Sequence, residues 1–299
     1  MTNRTAQKKK SQTQAKGKGS GAKRRPNQRR RRPGFAAYAI GAVALVVLGM
    51  VGFSLYNHAK TPATPGTGPT TQVVKDVTSV PSATLDAVGA GTGVSAPKAL
   101  PAGTPPIESG GKPLVLYIGA EYCPYCAAER WATVVALSRF GTFSGLGLTT
   151  SSSTDVFPST RTLTFHGSSY TSDVITFEGV ETQSNQLSAT GSYETLETPT
   201  AEQQQLFSTY NSGGGIPFVL IGNKYVISGA SFQPDVLQGK SWQEIASALS
   251  DPSSDISKQV LGAANTITAA ICTVTNGQPS GVCTSSGVTA AASALPPTS

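Results

Sequence analysis

Histidine, methionine and tryptophan each occur only twice in the 299 residues, and cysteine four times. Two histidines exclude a histidine-rich metal centre. His58 borders a long apolar run, so only His166 remains for a folded domain. Charge is scarce at 13%, and acidic residues are missing altogether from residues 1–32. That stretch holds thirteen Lys and Arg, which leaves ten basic against sixteen acidic residues for the rest of the chain. The net charge of +7 is therefore the sum of two opposite regions, and no single basic surface is implied. With 32 Gly and 20 Pro the chain is too rich in breakers to be one compact domain throughout, yet long enough to contain one of ordinary size. Collagen, coiled-coil and wholly disordered classes are excluded.

Residues 1–34 have no apolar periodicity and are expected to be a disordered basic tail. Residues 35–56 (FAAYAIGAVALVVLGMVGFSLY) are 22 residues without a charge. As a helix they span about 33 Å, enough to cross a ~30 Å hydrocarbon core. The basic excess before this segment predicts a cytoplasmic N-terminus and an extracytoplasmic remainder, and hence a single-pass protein of the cell membrane. The run is too long, and its exit Tyr56-Asn57-His58-Ala59-Lys60 too unlike a small-x-small site, for a cleaved signal peptide. Membrane lipid is the expected partner of the tail. Nucleic acid is not, because the tail has no aromatic residues on which bases could stack. Residues 57–111 are mostly Thr, Pro, Gly and Ala and are expected to form a flexible linker with a short helix at 82–88. A folded domain is expected over 112–285 and a disordered tail over 286–299.

Within that domain Leu114–Ile118 (LVLYI) has the unbroken apolarity of a strand buried on both faces. A Cys123-Pro124-Tyr125-Cys126 turn follows, and then Ala127–Phe140, where Ala127, Trp131, Val134 and Leu137 recur at helical spacing. Strands are expected at Thr160–Phe165 and Val174–Phe177. A helix is expected at Thr200–Tyr210 with Thr198 as its cap, then two strands within Ile216–Ile227 joined at Gly222-Asn223, and helices at Ser241–Leu249 and Ile256–Cys272. A CxxC between a buried strand and a helix places its first cysteine at the helix N-terminus, where free N–H groups favour a thiolate. Cys123 is the candidate nucleophile and Cys126 the thiol that resolves a mixed disulfide. An inert disulfide and half of a zinc site are the other readings of this pair. Cys272 and Cys283 form no second metal knuckle, and they flank a Gly/Pro/Asn loop that suits a structural disulfide in an oxidising compartment. No metal or other cofactor is expected.

The strand–CxxC–helix unit, followed by Gly214-Gly215-Ile216-Pro217-Phe218, resembles the thioredoxin fold. That resemblance implies an α/β domain with a large insertion at about 141–213. It also implies a cis bond before Pro217, with Ile216 pairing to a bound peptide. GKPLVLYIGAEYCPYCAAERW, ALSRFGTFSGL and the terminal ICTVTNGQPSGVC more closely resemble the membrane-anchored thioredoxin-like family catalogued as domain of unknown function 929. The chain departs from thioredoxin at Tyr117, where a buried aspartate is usual, and at Tyr122, where a tryptophan is usual. Catalytic roles are thus expected for Cys123, Cys126 and Pro217, and substrate contact for Ile216, Pro124, Tyr125 and Tyr122. Glu121 and Glu129 are candidate proton shuttles, with a solvated surface position as the plainer reading of both. Trp131 is read as core, and His166 has no partner in sequence that would make it catalytic.

The function these readings predict is thiol–disulfide exchange on exported proteins, with a redox partner that the chain does not encode. Oxidation or isomerisation fits the compartment better than reduction. The alternative is a non-enzymatic thioredoxin-like scaffold of the cell envelope whose CxxC stays oxidised.

Overall fold

The computed structural model describes residues 69–298. The expected basic tail, transmembrane segment and first part of the linker lie outside the described residues. Among those described, no helix is long and apolar enough to cross a membrane.

Two short helices come first, α1 (Pro69–Thr78) and α2 (Ser82–Val88), then two-residue strands β1 (Lys98–Ala99) and β2 (Glu108–Ser109). The central strand β3 (Lys112–Gly119) leads into helix α3 (Pro124–Leu137). Strands β4 (Gly141–Ser144), β5 (Gly147–Thr150), β6 (Arg161–Thr164), β7 (Ser169–Ser172), β8 (Thr176–Glu181), β9 (Gln183–Leu187) and β10 (Tyr193–Thr195) follow. Helix α4 (Ala201–Tyr210) precedes the hairpin of β11 (Phe218–Ile221) and β12 (Tyr225–Ser228). The chain closes with α5 (Trp242–Ala248), α6 (Asp255–Val274), α7 (Ser280–Cys283) and α8 (Ser286–Ala292).

The result is a mixed α/β fold on a mixed sheet. β3 pairs with β8 in parallel from Leu114↔Thr176 to Gly119↔Glu181, and antiparallel with β11 from Val115↔Ile221 to Ile118↔Phe218. β11 continues antiparallel to β12, and β12 to β1. Because side chains alternate along a strand, β3 feeds two cores. Val115 and Tyr117 join Val219, Ile221 and Ile227 beneath α3 and α6. Leu114, Leu116 and Ile118 join Phe218, Leu220 and Val226 on the other face, covered by Leu206, Phe207 and Tyr210 of α4. Burial on both faces explains the unbroken apolarity of LVLYI.

Several expectations are corrected. Residues 69–111 are not a flexible linker. Val73 and Val77, one helical turn apart on α1, and Leu85 on α2 are buried in the main core. The buried Asn265 amide of α6 donates to the carbonyls of Leu85 and Gly89, both at 2.8 Å, and so caps α2. The tail expected to be disordered from 286 contains α8, whose Val288 and Ala291 are buried, and its Gly287 N–H donates to Asp86 at 2.8 Å. β8 lies inside the span expected as an insertion, yet it is a strand of the central sheet. A parallel neighbour of β3 can be reached only by a long crossover. Helix α4 is capped by Thr200 and not Thr198: Thr200 Oγ1 accepts from the Gln203 N–H, while Gln203 Oε1 accepts from the Thr200 N–H.

Candidate functional site

The carboxyl end of β3 delivers the Cys123–Cys126 turn to the edge of the core. Cys123 is the cap residue of α3, with extended backbone (φ −76°, ψ 122°), and Pro124 takes the first helical position. Cys126 is then the third helical residue, whose N–H a cap side chain ordinarily accepts. Here that acceptor is sulfur: the Cys126 N–H donates to Cys123 Sγ over 3.2 Å. The hydrogen bond from the Cys126 thiol, joined by this N–H and the Arg130 charge, pulls the Cys123 thiol below its usual range against the effect of burial. Burial pushes Cys126 well up, and its thiol hydrogen bond to Cys123 adds to the rise. Cys123 is 6% exposed and Cys126 fully buried; both are free thiols. One cysteine is therefore poised to ionise and the other to hold its proton.

Across the turn the Ile216–Pro217 peptide bond is cis. The Cys123 thiol points at the Ile216 carbonyl oxygen, 3.8 Å away. This loop is fixed from behind: the buried Asn211 amide donates to the Gly215 carbonyl at 2.8 Å, its oxygen accepts from Ser228 Oγ at 2.8 Å, and the Gly229 N–H donates to the Pro217 carbonyl at 2.8 Å. Ile216 is half-buried and Pro217 buried.

Residues from the 141–213 span hold the turn along its length. The Thr182 N–H donates to the Gly119 carbonyl, the Glu121 N–H to the Gln183 carbonyl, and the Ser152 N–H to the Tyr122 carbonyl, each at 2.8 Å. Tyr122 stacks on Tyr193 with ring centroids 4.2 Å apart, and Tyr125 meets Phe157 edge-on at 5.9 Å. Beside them lies a shallow groove of about 260 Å³ lined by Ser151, Ser152, Asn185 and Leu187. Tyr122, Pro124, Tyr125, Ile216 and Pro217 thus lie on the turn and the loop that meet at Cys123.

Neither candidate shuttle hydrogen-bonds to a sulfur. Glu121 is half-buried and accepts from Thr149 Oγ1 at 3.1 Å. Glu129 is fully buried, which corrects the solvated reading, and it accepts from Ser231 N–H at 2.7 Å and Ser231 Oγ at 3.1 Å. Burial without a counter-charge pushes its carboxyl up to about 7, and the two bonds from Ser231 oppose the rise. Trp131 is core, as expected, its indole N–H donating to the Arg161 carbonyl.

The group that sequence reading missed is Arg130. It is fully buried and forms a two-pronged ion pair with buried Glu181, Nε to Oε1 and Nη2 to Oε2, both 2.7 Å. Nη2 also donates to the Ala120 carbonyl at 2.7 Å, the same oxygen that accepts the Cys123 N–H. Burial opposes the guanidinium charge and the Glu181 carboxylate outweighs it, whereas burial raises the Glu181 carboxyl against the pull of Arg130; the two parallel short bonds are those of an ionised pair. His166 also acquires a partner: its Nδ1 lies 2.6 Å from Glu197 Oε1, and Glu197 Oε2 accepts the Glu181 N–H at 2.8 Å. The signal for Arg130 was in the sequence. Adjacent Glu129 and Arg130 in an otherwise apolar helix point about 100° apart, and a helix buried on all sides must pair each of them internally.

Among the described residues no cluster of three His, Cys, Asp or Glu could hold a metal ion. Cys272 and Cys283 are joined, with Cα atoms 5.6 Å apart, and fasten α7 to α6. No curated protein and no solved structure matches the chain. The family model described as Domain of unknown function (DUF929) matches residues 102–273, more than half of the 299-residue chain and the whole of the site. The chain is a member of that family.

Proposed function

We propose that this is a membrane-anchored, extracytoplasmic thiol–disulfide oxidoreductase of thioredoxin-like fold, acting on exported proteins through Cys123 and Cys126. The observation that carries the reading is the arrangement of the two cysteines around one cap position. Cys123 is lowered and faces the cis-proline loop, while Cys126 is raised and buried behind it. An inert disulfide has no use for that asymmetry. The strand order β8-β3-β11-β12, one parallel pair followed by two antiparallel pairs, supports the thioredoxin-like part of the reading, with the CxxC after β3 and the cis-proline before β11.

In the exchange, the Cys123 thiolate attacks one sulfur of a partner disulfide, and the other partner sulfur leaves as a thiolate. Cys126 then gives up its proton and attacks Cys123 Sγ, releasing the second partner thiolate and closing the CxxC disulfide. The reverse sequence oxidises a partner dithiol. Ile216, at the open side of Cys123, is the residue placed to pair with an extended partner backbone, and the groove by Ser152 and Leu187 extends that surface.

Trapping tests the function. A C126A variant, which lacks the resolving thiol, should accumulate mixed disulfides with cell-envelope proteins through Cys123, and these should vanish on reduction and in C123A/C126A. A C126A variant that captures nothing would favour the non-enzymatic scaffold.

A further inference from the structure

Among the described residues two large hydrophobic side chains are exposed, Val156 at 68% and Leu187 at 51%. Both stand on the rim of the groove beside Cys123. Leu187 lines the groove and is the Cα partner of Tyr193, whose ring stacks on Tyr122, the residue before Cys123. Val156 belongs to the loop 153–158, which is closed at its neck by the Ser159 N–H donating to the Ser152 carbonyl at 2.9 Å, and Ser152 and Ser159 both line the groove. The next residue, Phe157, meets Tyr125, two residues beyond Cys123. Tyr122, Tyr125, Phe157 and Tyr193 are half-buried, so part of each ring is open. Single exposed hydrophobic residues are ordinary on a protein surface. Two that flank one groove, in company with open rings and next to a thiol, mark a contact surface.

The polar groups of the groove are already engaged. Ser151 Oγ donates to the Phe157 carbonyl at 3.0 Å, the Tyr193 hydroxyl to Ser152 Oγ at 2.7 Å, and the Asn185 amide to the Thr150 carbonyl at 2.8 Å. A groove satisfied from within asks for no particular polar partner and gains mainly from apolar contact. The charged residues adjoining the rim in sequence, Glu121, Asp155 and Glu194, are all acidic, and no lysine occurs between Lys112 and Lys224. Arg161, opposite Thr150 in the β5–β6 register, lies over the Trp242 ring at 4.6 Å. The surface therefore disfavours an acidic occupant. A folded protein keeps most of its apolar side chains inside, whereas an unfolded chain can lay alternate side chains along one wall in extended form. We propose that Val156, Phe157 and Leu187, with the Tyr122–Tyr193 stack, form a docking surface for extended, apolar, non-acidic segments of unfolded exported polypeptides. Docking there brings a cysteine near the segment to Cys123. The proposal rests on the exchange function above and names its substrate class.

The test is noncovalent binding of short fluorescent peptides to the full chain carrying C123S/C126S, in nanodiscs of zwitterionic lipid, read by anisotropy against empty nanodiscs. Detergent is avoided because its tails would compete for an apolar rim. Serine can still cap α3, and no disulfide can form at the site. A cysteine-free peptide of Leu, Val, Thr and Ser with lysine at both ends should bind about tenfold more tightly than its counterpart with every Leu and Val replaced by Ser. Adding V156S/L187S should remove that preference; both side chains are mainly exposed, so neither change empties the core. V156I/L187M, which keeps the rim apolar, should retain it. Exchanging the terminal lysines for glutamates should weaken binding severalfold at low salt. A preference below about twofold in the parent, or one that V156S/L187S leaves intact, overturns the docking surface. Equal or tighter binding of the glutamate peptide overturns its non-acidic character. Failure of every peptide to bind, together with a dimer of the full chain that V156S/L187S abolishes, would assign the rim to a second copy and overturn the proposal. These readings need no thiol. Peptide binding as expected beside an empty C126A trap would overturn the exchange function and with it the substrate role, whereas a filled trap without apolar preference would overturn this proposal alone.

Discussion

Glu129 makes the stability of this domain depend on pH in an unusual direction. Its carboxyl moves on folding from an ordinary value of 4.5 to about 7, because it is buried on α3 with only Ser231 to hold it. Between these pH values the folded chain keeps a proton that the unfolded chain releases. Stability from this residue is therefore fully present below pH 4.5, falls as pH rises, and is lost above about 7. The interval, at ~1.36 kcal/mol for each pH unit, corresponds to about 3 kcal/mol. Most acidic groups bound in folded proteins act in the opposite sense. The measurement is urea unfolding of the full chain in detergent at a series of pH values, followed by the fluorescence of Trp131 and Trp242. Both report on the region concerned, since Trp131 is core on α3 and Trp242 donates to the Thr162 carbonyl. E129Q keeps the shape and can still bond to Ser231, so it should hold the low-pH stability up to pH 8 and flatten the profile. A parent profile that is level or rising between pH 5 and 7.5, or an E129Q profile as steep as the parent's, would refute the reasoning.

The N-terminal helices and the C-terminal disulfide offer two more tests by the same unfolding assay. L85A should cost about 2–5 kcal/mol, the range for emptying a buried leucine site, because Leu85 is 2% exposed; a silent substitution would mean that α2 does not belong to the core. Replacing both Cys272 and Cys283 by alanine opens a loop with a sequence separation of 11 and should cost roughly 3 kcal/mol; it should leave the glutathione equilibrium of Cys123/Cys126 unchanged, and a change there would link the two pairs.

What the sequence disclosed depended on the strength of local signals. β3 and α3 were legible because one has five apolar residues in a row and the other an apolar period of one helical turn between two clear breaks. The hairpin of β11 and β12 was legible from its glycine turn, where Gly222 has φ +49°. α2 was legible as a short helix over 82–88, whereas α1 and α8 were not. All three have 10 residues or fewer and consist mostly of Thr, Ser, Ala and Val, a composition shared with tethers, so their place in the core was hidden. They become core only through tertiary partners: α1 packs on α3 and α5, α2 on α6 and α8, and α8 on α6, and the partners of α2 lie almost two hundred residues away in the chain. The cysteines and the proline were found because chemistry restricts them to few roles. Arg130 had a local signal, a charge in an apolar helix, but Glu181 had none, because the pairing runs across 51 residues.

The long span between α3 and α4 is better understood as part of the support of the Cys123–Cys126 turn than as a lid added to it. Its backbone takes up or supplies hydrogen bonds at Gly119, Glu121 and Tyr122, the Thr162 hydroxyl donates to the Ala127 carbonyl at 2.7 Å, and β8 ends in Glu181 beneath Arg130. A lid could open and leave the cysteines as they are. This span cannot move without releasing the strand end and first helical turn that set the two thiols apart. The surface of Tyr122, Tyr125 and the Ser152 groove is therefore mechanically joined to the turn that holds Cys123 and Cys126. A partner that shifts Tyr193 on Tyr122 also pulls, through Ser152, on the carbonyl preceding Cys123. If the chain exchanges disulfides as proposed, the same few hydrogen bonds set both the partner surface and the environment of the two thiols, so a substitution in one should be felt in the other.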